Sequence, residues 1–354
     1  MRPRYLRVVG GKAAGAIAVA LVAALGAAAP ATARAPETWG HHSVRVVHVE
    51  IPVPPDPGGV DGVLPKVAAD VYIPSGAGRR PLVQLSHAWP GTLKEFPLSG
   101  WGRRLASRGF VVIVSDRRGG STLAAQPSLD QPVDIIDLSS QVNSEDILRV
   151  VRWAIAQSKV RGSPLFRRVN PARIAIGGHS LGAYHATFAA VKSQTEGPRL
   201  SALVLLDPSD ERLGQHTLDS SLAQTPLLKI PTIDLVSEEN QHPVMCNMND
   251  GTDCTLVAPQ QYAALSSRVT KLGVKVIGSV HEDVEDPSTI GTPASRAHLR
   301  LYERYGMAWI EYWVAGDCAA APYLGAGPAA ARDVHAGKIA VLPGASPVKP
   351  CRRR

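Results

Sequence analysis

The chain has 354 residues, of which 45% are hydrophobic, 5% aromatic and 19% charged, and its 38 basic and 30 acidic side chains give a net charge of +8. This length suits one large α/β domain with short extensions, and the sequence contains no internal repeat or second-domain linker. The basic residues form no stripe interleaved with aromatic side chains, which argues against nucleic acid as a partner.

The first 33 residues predict a secretory signal peptide. Four basic residues lie within the first twelve, an uncharged Ala/Val/Leu run covers 13–29, and Ala31-Thr32-Ala33 supplies a small-x-small cleavage site. An uncleaved membrane anchor is the alternative, but the run is short and rich in alanine. Cleavage after Ala33 leaves a secreted, extracellular chain with a net charge of +4 and no further run of membrane length, so we expect no stable membrane insertion.

The rest of the chain is divided into alternating strand-type and helix-type stretches. Apolar, β-branched runs predict eight strands at 43–53, 67–73, 81–86, 111–115, 173–177, 202–206, 232–236 and 274–278. Helices are predicted at 101–107, 144–157, 180–192, 259–269 and 296–315. Early strands close together, followed by strict alternation, predict an α/β fold with a mostly parallel sheet covered by helices on both faces.

A G-x-S-x-G motif, Gly178-His179-Ser180-Leu181-Gly182, lies between the fifth strand and the third helix of this prediction. A sharp turn there exposes the serine hydroxyl, and the Leu181 amide points to where an oxyanion would form. The bare motif occurs by chance, so the strand before it and the helix after it carry the interpretation. A nucleophile after the fifth of eight strands is the order of the α/β-hydrolase fold, here without a large cap domain.

A serine nucleophile needs a histidine that accepts its proton. His281 follows the eighth predicted strand, on a loop at the carboxyl end of the sheet, where open α/β sheets place their ligands. His179 is adjacent to the nucleophile and points wrongly for a base. The sequence therefore predicts Ser180 as nucleophile and His281 as general base.

Two positions could supply the acid that orients the histidine. Asp207 ends the sixth predicted strand, where Pro208 breaks it, and Glu238 or Glu239 follows the seventh. Asn240 lies where many hydrolases have an aspartate, and an amide cannot supply the negative charge. We favour Asp207 and keep Glu238 and Glu239 as the alternative acid.

These segments resemble the platelet-activating-factor acetylhydrolase group of α/β-hydrolase esterases and lipases. The resemblance lies in G-H-S-x-G at 178–182, in Leu206-Asp207, and in G-S-V-H at 278–281 with acidic residues after it. It spans roughly 70–315 and implies that Ser180, Asp207 and His281 form a catalytic triad.

The loop after the third predicted strand departs from this resemblance. The family reads S-H-G-x-G there, and this chain reads Ser86-His87-Ala88-Trp89-Pro90-Gly91. By position, the Trp89 amide would be the second oxyanion donor beside that of Leu181, although alanine and proline both restrict the loop. The Asp116-Arg117-Arg118-Gly119 segment is interpreted as a structural, salt-bridged turn.

Four cysteines in an exported chain predict disulfides. Three pairings are possible, and Cys246–Cys254 with Cys318–Cys351 needs the least reorganisation of the chain. No C-x-x-C or paired-histidine spacing suggests a metal, His41-His42 is interpreted as solvated loop, and we expect no cofactor.

The predicted organisation is a signal peptide at 1–33, a hydrolase domain at 34–316 and a Pro/Gly/Ala-rich tail at 317–354 pinned by the second disulfide. The predicted function is a secreted serine hydrolase for a small-molecule or lipid ester with a modest acyl group. The segments 119–142, 209–229 and 238–256 could form the walls of its pocket. A secreted peptidase or amidase and a non-catalytic binding protein are the alternatives, and the sequence indicates no oligomeric state.

Overall fold

A computed structural model describes residues 34–55, 66–88, 98–116, 134–209, 220–239, 257–286 and 292–348. The predicted signal peptide lies outside these ranges. Within them, no helix combines the length and the apolar character that crossing a membrane would require.

In the described part of the chain, nine strands form one sheet. They are β1 Val44–Pro52, β2 Lys66–Pro74, β3 Arg80–Ser86, β4 Val111–Ser115, β5 Val169–His179, β6 Ala202–Leu206, β7 Thr232–Glu239, β8 Lys271–Val280 and β9 Ile339–Val341. Their order in the sheet is β1-β2-β4-β3-β5-β6-β7-β8-β9. The six strands from β4 to β8 in this order are parallel, whereas β1, β2 and β9 pair antiparallel with their neighbours.

The described α-helices are α1 Ser99–Ser107, α2 Asp134–Gln157, α3 Leu181–Glu196, α4 Ser221–Gln224, α5 Val257–Ala264, α6 Pro293–Ile310 and α7 Pro328–His335. The start of α6 follows from its sequence. Thr292 accepts a hydrogen bond from the Ser295 amide at 3.1 Å, and Pro293 occupies the first turn, where its missing amide proton costs nothing.

The parallel strands are buried on both faces. In β6, Leu203 and Leu205 contribute to the core on the α3 side, and Val204 and Leu206 contribute to the core on the α6 side, beside residues such as Trp309. Because alternate residues of a strand point to opposite faces, a strand covered on both sides must be apolar at every position. The consecutive apolar residues of β4 and β6 are explained in this way.

The α/β-hydrolase fold class is confirmed, with one correction to the strand count. The sequence predicted eight strands, and the described chain has nine. The ninth, Ile339–Val341, pairs with β8 and comes from the segment predicted as a tail. Three residues on a sheet edge are too few for a periodic pattern to be recognised. The bounds predicted for β4 and β6 are confirmed.

Three strands end at the same edge of the sheet with polar residues. Ser180 follows β5, Asp207 follows β6, and His281 follows β8. Parallel strands place their carboxyl ends together, so residues separated by about a hundred positions meet at this edge.

Candidate active site

Ser180 occupies a strained turn between β5 and α3. Its backbone has φ of 53° and ψ of −119°, a conformation that residues with a side chain rarely adopt. The Ser180 amide donates a hydrogen bond to the Leu206 carbonyl of β6 at 3.0 Å, and its carbonyl accepts from the Ala183 and Tyr184 amides of α3. The strand-turn-helix context predicted for the G-x-S-x-G motif is therefore present.

The two glycines of the motif allow the close approach of backbone segments that this turn needs. A Cβ on Gly182 would lie 2.3 Å from the Ser86 carbonyl oxygen, and a Cβ on Gly178 would lie 2.5 Å from the Gly182 carbonyl carbon. Both distances are below any real contact, and the obstructing atoms are backbone atoms that cannot rotate away. The close packing of this turn therefore requires both glycines, independently of any role of Ser180.

Asp207 lies directly after β6, is fully buried and also has a positive φ, of 43°. Its Oδ1 accepts a hydrogen bond from the Ser237 amide at 2.8 Å, and its Oδ2 accepts one from the Ser237 hydroxyl at 2.7 Å. Oδ2 also lies 2.6 Å from Nδ1 of His281. The carboxylate is thereby fixed by β7 on one side and directed at the histidine on the other.

His281 begins a 3₁₀ helix, His281–Val284, at the end of β8, and it is 4% exposed. Because an ionised carboxylate only accepts hydrogen bonds, Nδ1 carries the proton and Nε2 is left as the basic nitrogen. Burial lowers the pKa of His281, but the hydrogen bond and charge of Asp207, with the charge of Glu282, outweigh burial and leave it raised. The surroundings of His281 thus favour its positively charged, doubly protonated form.

The loop that carries His281 is held by its own acidic residues. Asp283 Oδ2 accepts from the Val280 amide at 3.0 Å and lies 2.7 Å from Nδ1 of His298 in α6. Ser99 of α1 donates to Asp286 at 2.7 Å. These bonds attach both ends of the short helix to the helices packed beside it.

Of the candidate acids, only Asp207 is brought to His281. Glu238 Oε2 accepts a hydrogen bond from the Gly278 amide at 2.8 Å, so its side chain is directed at the β8 backbone. Glu239 is exposed and pairs in register with Val280 at the end of β7. Asn240 lies outside the described residues.

The predicted oxyanion donors are described in part. Leu181 is the first residue of α3 and is 7% exposed, so its amide belongs to the helix N-terminus, where positive dipole accumulates. Trp89 lies outside the described residues. The residues before it are included: His87 Nδ1 donates to the Ala88 carbonyl at 2.6 Å, and His87 Nε2 lies 2.6 Å from Asp116 Oδ1.

One contact at this edge was not predicted from the sequence. His179 Nδ1 lies 2.9 Å from Oε1 of Glu285, with both side chains at most 2% exposed. The His179 ring also packs against that of His281, with 4.5 Å between centroids and a tilt of 40°. The acidic residues after His281 were the available signal, but nothing in their spacing shows which of them turns inward.

The remaining predicted features lie largely outside the described residues. Cys318 is disulfide-bonded, but Cys246, Cys254 and Cys351 are not described, so the pairing stays a prediction. The same holds for most of the predicted pocket walls. Across the described ranges, no group of three or more His, Cys, Asp or Glu side chains could hold a metal ion.

Comparison with known proteins adds a family to this geometry. None of the curated proteins compared with the chain matches it. Residues 66–246 match the model of the PETase family, described as PET hydrolase-like. The match covers β2 to β7, with the turn at Ser180 and with Asp207, and extends over just over half of the chain. This is an esterase family of α/β-hydrolase type, and the chain belongs to the PET hydrolase-like family.

Proposed function

We propose that the protein is a secreted serine hydrolase that cleaves carboxylic esters through an acyl-enzyme on Ser180. His281 acts as general base and Asp207 as the acid that orients it. The observation that carries the proposal is the 2.6 Å contact between His281 Nδ1 and Asp207 Oδ2, at the sheet edge where Ser180 precedes α3. Family membership supports ester hydrolysis as the reaction.

The proposed reaction has two halves. Ser180 Oγ attacks the ester carbonyl carbon while its proton passes to Nε2 of His281, and the carbonyl oxygen becomes an oxyanion. The Leu181 amide, with that of Trp89 as the second proposed donor, stabilises this charge. The carbon–oxygen bond then breaks, and the alcohol leaves with the proton from His281. Water repeats the sequence on the acyl-enzyme and releases the carboxylic acid.

We propose carboxylic esters of modest acyl size as the substrates. The family description names hydrolases of PET, a polyester, and the three segments quoted above resemble a group that acts on small acyl esters. The two sources agree on the ester bond and differ on the acyl group. A soluble terephthalate ester and a short-chain acyl ester are therefore the two probes to compare.

Labelling with a serine-directed fluorophosphonate tests the proposal. We expect one labelled peptide, containing Ser180, and hydrolysis of a short-chain nitrophenyl ester well above that of the matching nitroanilide. Ser180→Ala should lose the label and about 10⁶ in kcat while its melting temperature is retained. Full activity in a folded Ser180→Ala protein would exclude the proposed nucleophile. Preferred cleavage of the anilide would favour a peptidase or amidase.

Export is proposed separately from catalysis. The basic start, the apolar run and the Ala31-Thr32-Ala33 site support removal of residues 1–33. N-terminal sequencing of protein recovered from the culture medium should therefore begin at Arg34. A protein that stays with the membrane fraction and retains Met1 would show that the segment is an anchor.

A further inference from the structure

We infer that Glu285 is a positioning residue for His281, acting through His179: Glu285 holds the His179 ring, and that ring supports one face of the His281 ring. The inference rests on the proposed function of Ser180, Asp207 and His281. It concerns how the base is held and how its proton affinity is set, which the triad by itself leaves open.

The geometry makes Glu285 and His179 a second acid–histidine pair beside the first. Asp207 and His281 are joined at 2.6 Å, and Glu285 and His179 at 2.9 Å. The two imidazole rings, one from each pair, lie 4.5 Å apart between centroids. Asp207 therefore holds His281 at Nδ1, and the His179 ring supports one face of the His281 ring.

Glu285 is fixed in this place by the chain on either side of it. The Val284 carbonyl accepts a hydrogen bond from Trp101 Nε1 at 3.1 Å, and Asp286 accepts one from the Ser99 hydroxyl. The Glu285 amide donates to the Glu282 carbonyl at 3.1 Å, which closes the short helix. The segment is thus anchored to α1, and the Glu285 side chain turns inward toward the nucleophile turn.

A purely structural pair would not need to be polar. Glu285 Oε2 is buried and makes no hydrogen bond to any described residue. An unsatisfied buried polar group destabilises the folded protein, and an apolar pair of similar volume would avoid that cost. Buried polar groups without a hydrogen-bond partner concentrate at functional sites, which supports a role in the reaction for Glu285 and His179.

The charges around Glu285 couple its proton to that of His281. Burial raises the pKa of Glu285 to about 8, against the opposing effect of His281 and His87 and with a contribution from Glu282. Burial and the charge of His281 lower the pKa of His179 well below its ordinary value. Glu285 therefore carries a proton at neutral pH, and losing it places a negative charge beside the His281 ring.

That charge would strengthen the base. Two other carboxylates, Asp207 and Glu282, already favour the His281 imidazolium, and ionised Glu285 adds to them. His87 faces the same cluster and is itself paired with Asp116. As Glu285 ionises near pH 8, the imidazolium that forms in the transition state is stabilised, so kcat/KM should rise in a second step.

Glu285→Gln tests the inference, because glutamine keeps the size and a hydrogen bond to His179 but cannot ionise. We expect the second step near pH 8 to disappear, while the first midpoint, at which Glu285 is already neutral, stays close to that of the wild type. Glu303→Gln is the matched control, since Glu303 is also buried and also has a pKa raised to about 8, but its partner is Arg104. The control profile should match that of the wild type.

A direct titration separates this inference from the proposed function. NMR of histidine-labelled wild-type protein should show the His281 ring responding to a second ionisation near pH 8, and this response should be lost in Glu285→Gln. A wild type without that response, or a Glu285→Gln profile that superimposes on the wild type, overturns the inference. A wild type that titrates as expected but hydrolyses no ester would overturn the proposed function instead.

The double variant Glu285→Leu with His179→Phe separates positioning from structural support. It replaces a buried polar pair by an apolar one, so the melting temperature should be kept or raised. Without the anchored ring, kcat should fall about 10- to 100-fold with little change in KM. Unchanged kcat in this folded variant would contradict the positioning role.

Discussion

Ser237 holds the Asp207 carboxylate with two hydrogen bonds, one from its amide at 2.8 Å and one from its hydroxyl at 2.7 Å. The acid thus lies at the end of β6, while its support comes from β7. These two charge-assisted hydrogen bonds fix the carboxylate, and the remaining lone pair of Oδ2 is directed at His281. In this arrangement β7 supplies the support for the acid rather than the acid itself.

The first prediction separates Asp207 from the alternative acids. Asp207→Asn should lower kcat by about 10⁴, because the imidazole loses the charge that orients it and stabilises its protonated form. Glu238→Gln should lower kcat by much less than Asp207→Asn does. The Glu238 side chain is exposed and accepts a hydrogen bond from the Gly278 amide, not from His281. Ester hydrolysis by the two purified variants checks this. A mild Asp207→Asn and a crippling Glu238→Gln would reverse the assignment.

The second prediction concerns the pH dependence of the base. Burial lowers the pKa of His281, but the hydrogen bond and charge of Asp207, with the charge of Glu282, raise it above its ordinary value of 6.5. As general base the ring must be neutral, so kcat/KM should rise with pH through a midpoint above 6.5. In Asp207→Asn the hydrogen-bonded charge is lost, and the residual activity should have a lower midpoint. A flat profile from pH 5 to 9 would remove His281 from the mechanism.

The residues that follow strand ends could be predicted from the sequence, and the contact between Glu285 and His179 could not. Ser180 and Leu181 are defined by a strand, a turn and a helix that follow one another in the chain, and Asp207 by a strand that ends at a proline. The hydrogen bond between Glu285 and His179 joins residues 106 apart. No periodicity specifies it, because several acidic residues follow His281 and only packing decides which one is buried.

The sheet likewise contains strands that could be predicted from the sequence and one that could not. Buried parallel strands such as β4 have apolar residues at every position, and that composition is readable in a single run of sequence. The edge strand β9 has three residues, and it forms because β8 offers an unpaired edge. Its existence depends on tertiary context, which the sequence of the segment does not contain.

The third prediction uses a buried acid that lies outside the proposed mechanism. Asp234 of β7 is fully buried, and neither carboxylate oxygen has a hydrogen bond to a described residue. Burial, and then the charge of Asp207, raise the pKa of Asp234 well above its ordinary value. The folded protein therefore keeps a proton at pH values where the unfolded chain has lost it. The contribution of this protonation to the free energy of unfolding is fully present below the unfolded pKa of 3.8, and it is lost as the pH rises through the folded pKa.

Asp234→Asn should therefore become more stable relative to the wild type as pH rises, because an amide cannot ionise. Thermal unfolding at pH 4, 6 and 8 should show a small difference in melting temperature at pH 4 and a growing advantage of the variant above it. Glu196→Gln, at a half-exposed side chain, is the control and should show no such trend. A difference that shrinks with pH would mean that Asp234 is ionised and stabilising in the folded protein.

The last prediction concerns the disulfide at Cys318. This residue starts the 3₁₀ helix Cys318–Tyr323 after α6, and it is disulfide-bonded, with Cys351 as its predicted partner. Such a bond would close a loop that contains β9 and would restrict the conformations of that loop in the unfolded chain. The chain-entropy model gives about 3.8 kcal/mol for this loop and about 2.6 kcal/mol for the shorter Cys246–Cys254 loop. Cys318→Ser with Cys351→Ser should accordingly lower the melting temperature more than Cys246→Ser with Cys254→Ser.

Peptide mapping under non-reducing conditions decides the pairing itself. A cross-linked peptide containing Cys318 and Cys351 is expected, and treatment with a reductant should lower the melting temperature of the wild type by about as much as the two double variants combined, since the two loops do not overlap in sequence. A cross-link from Cys318 to Cys246 or Cys254 would show that the tail is pinned to the segment after β7. Four free thiols in exported protein would remove the disulfides altogether, and the stability of β9 would then depend on its pairing with β8 alone.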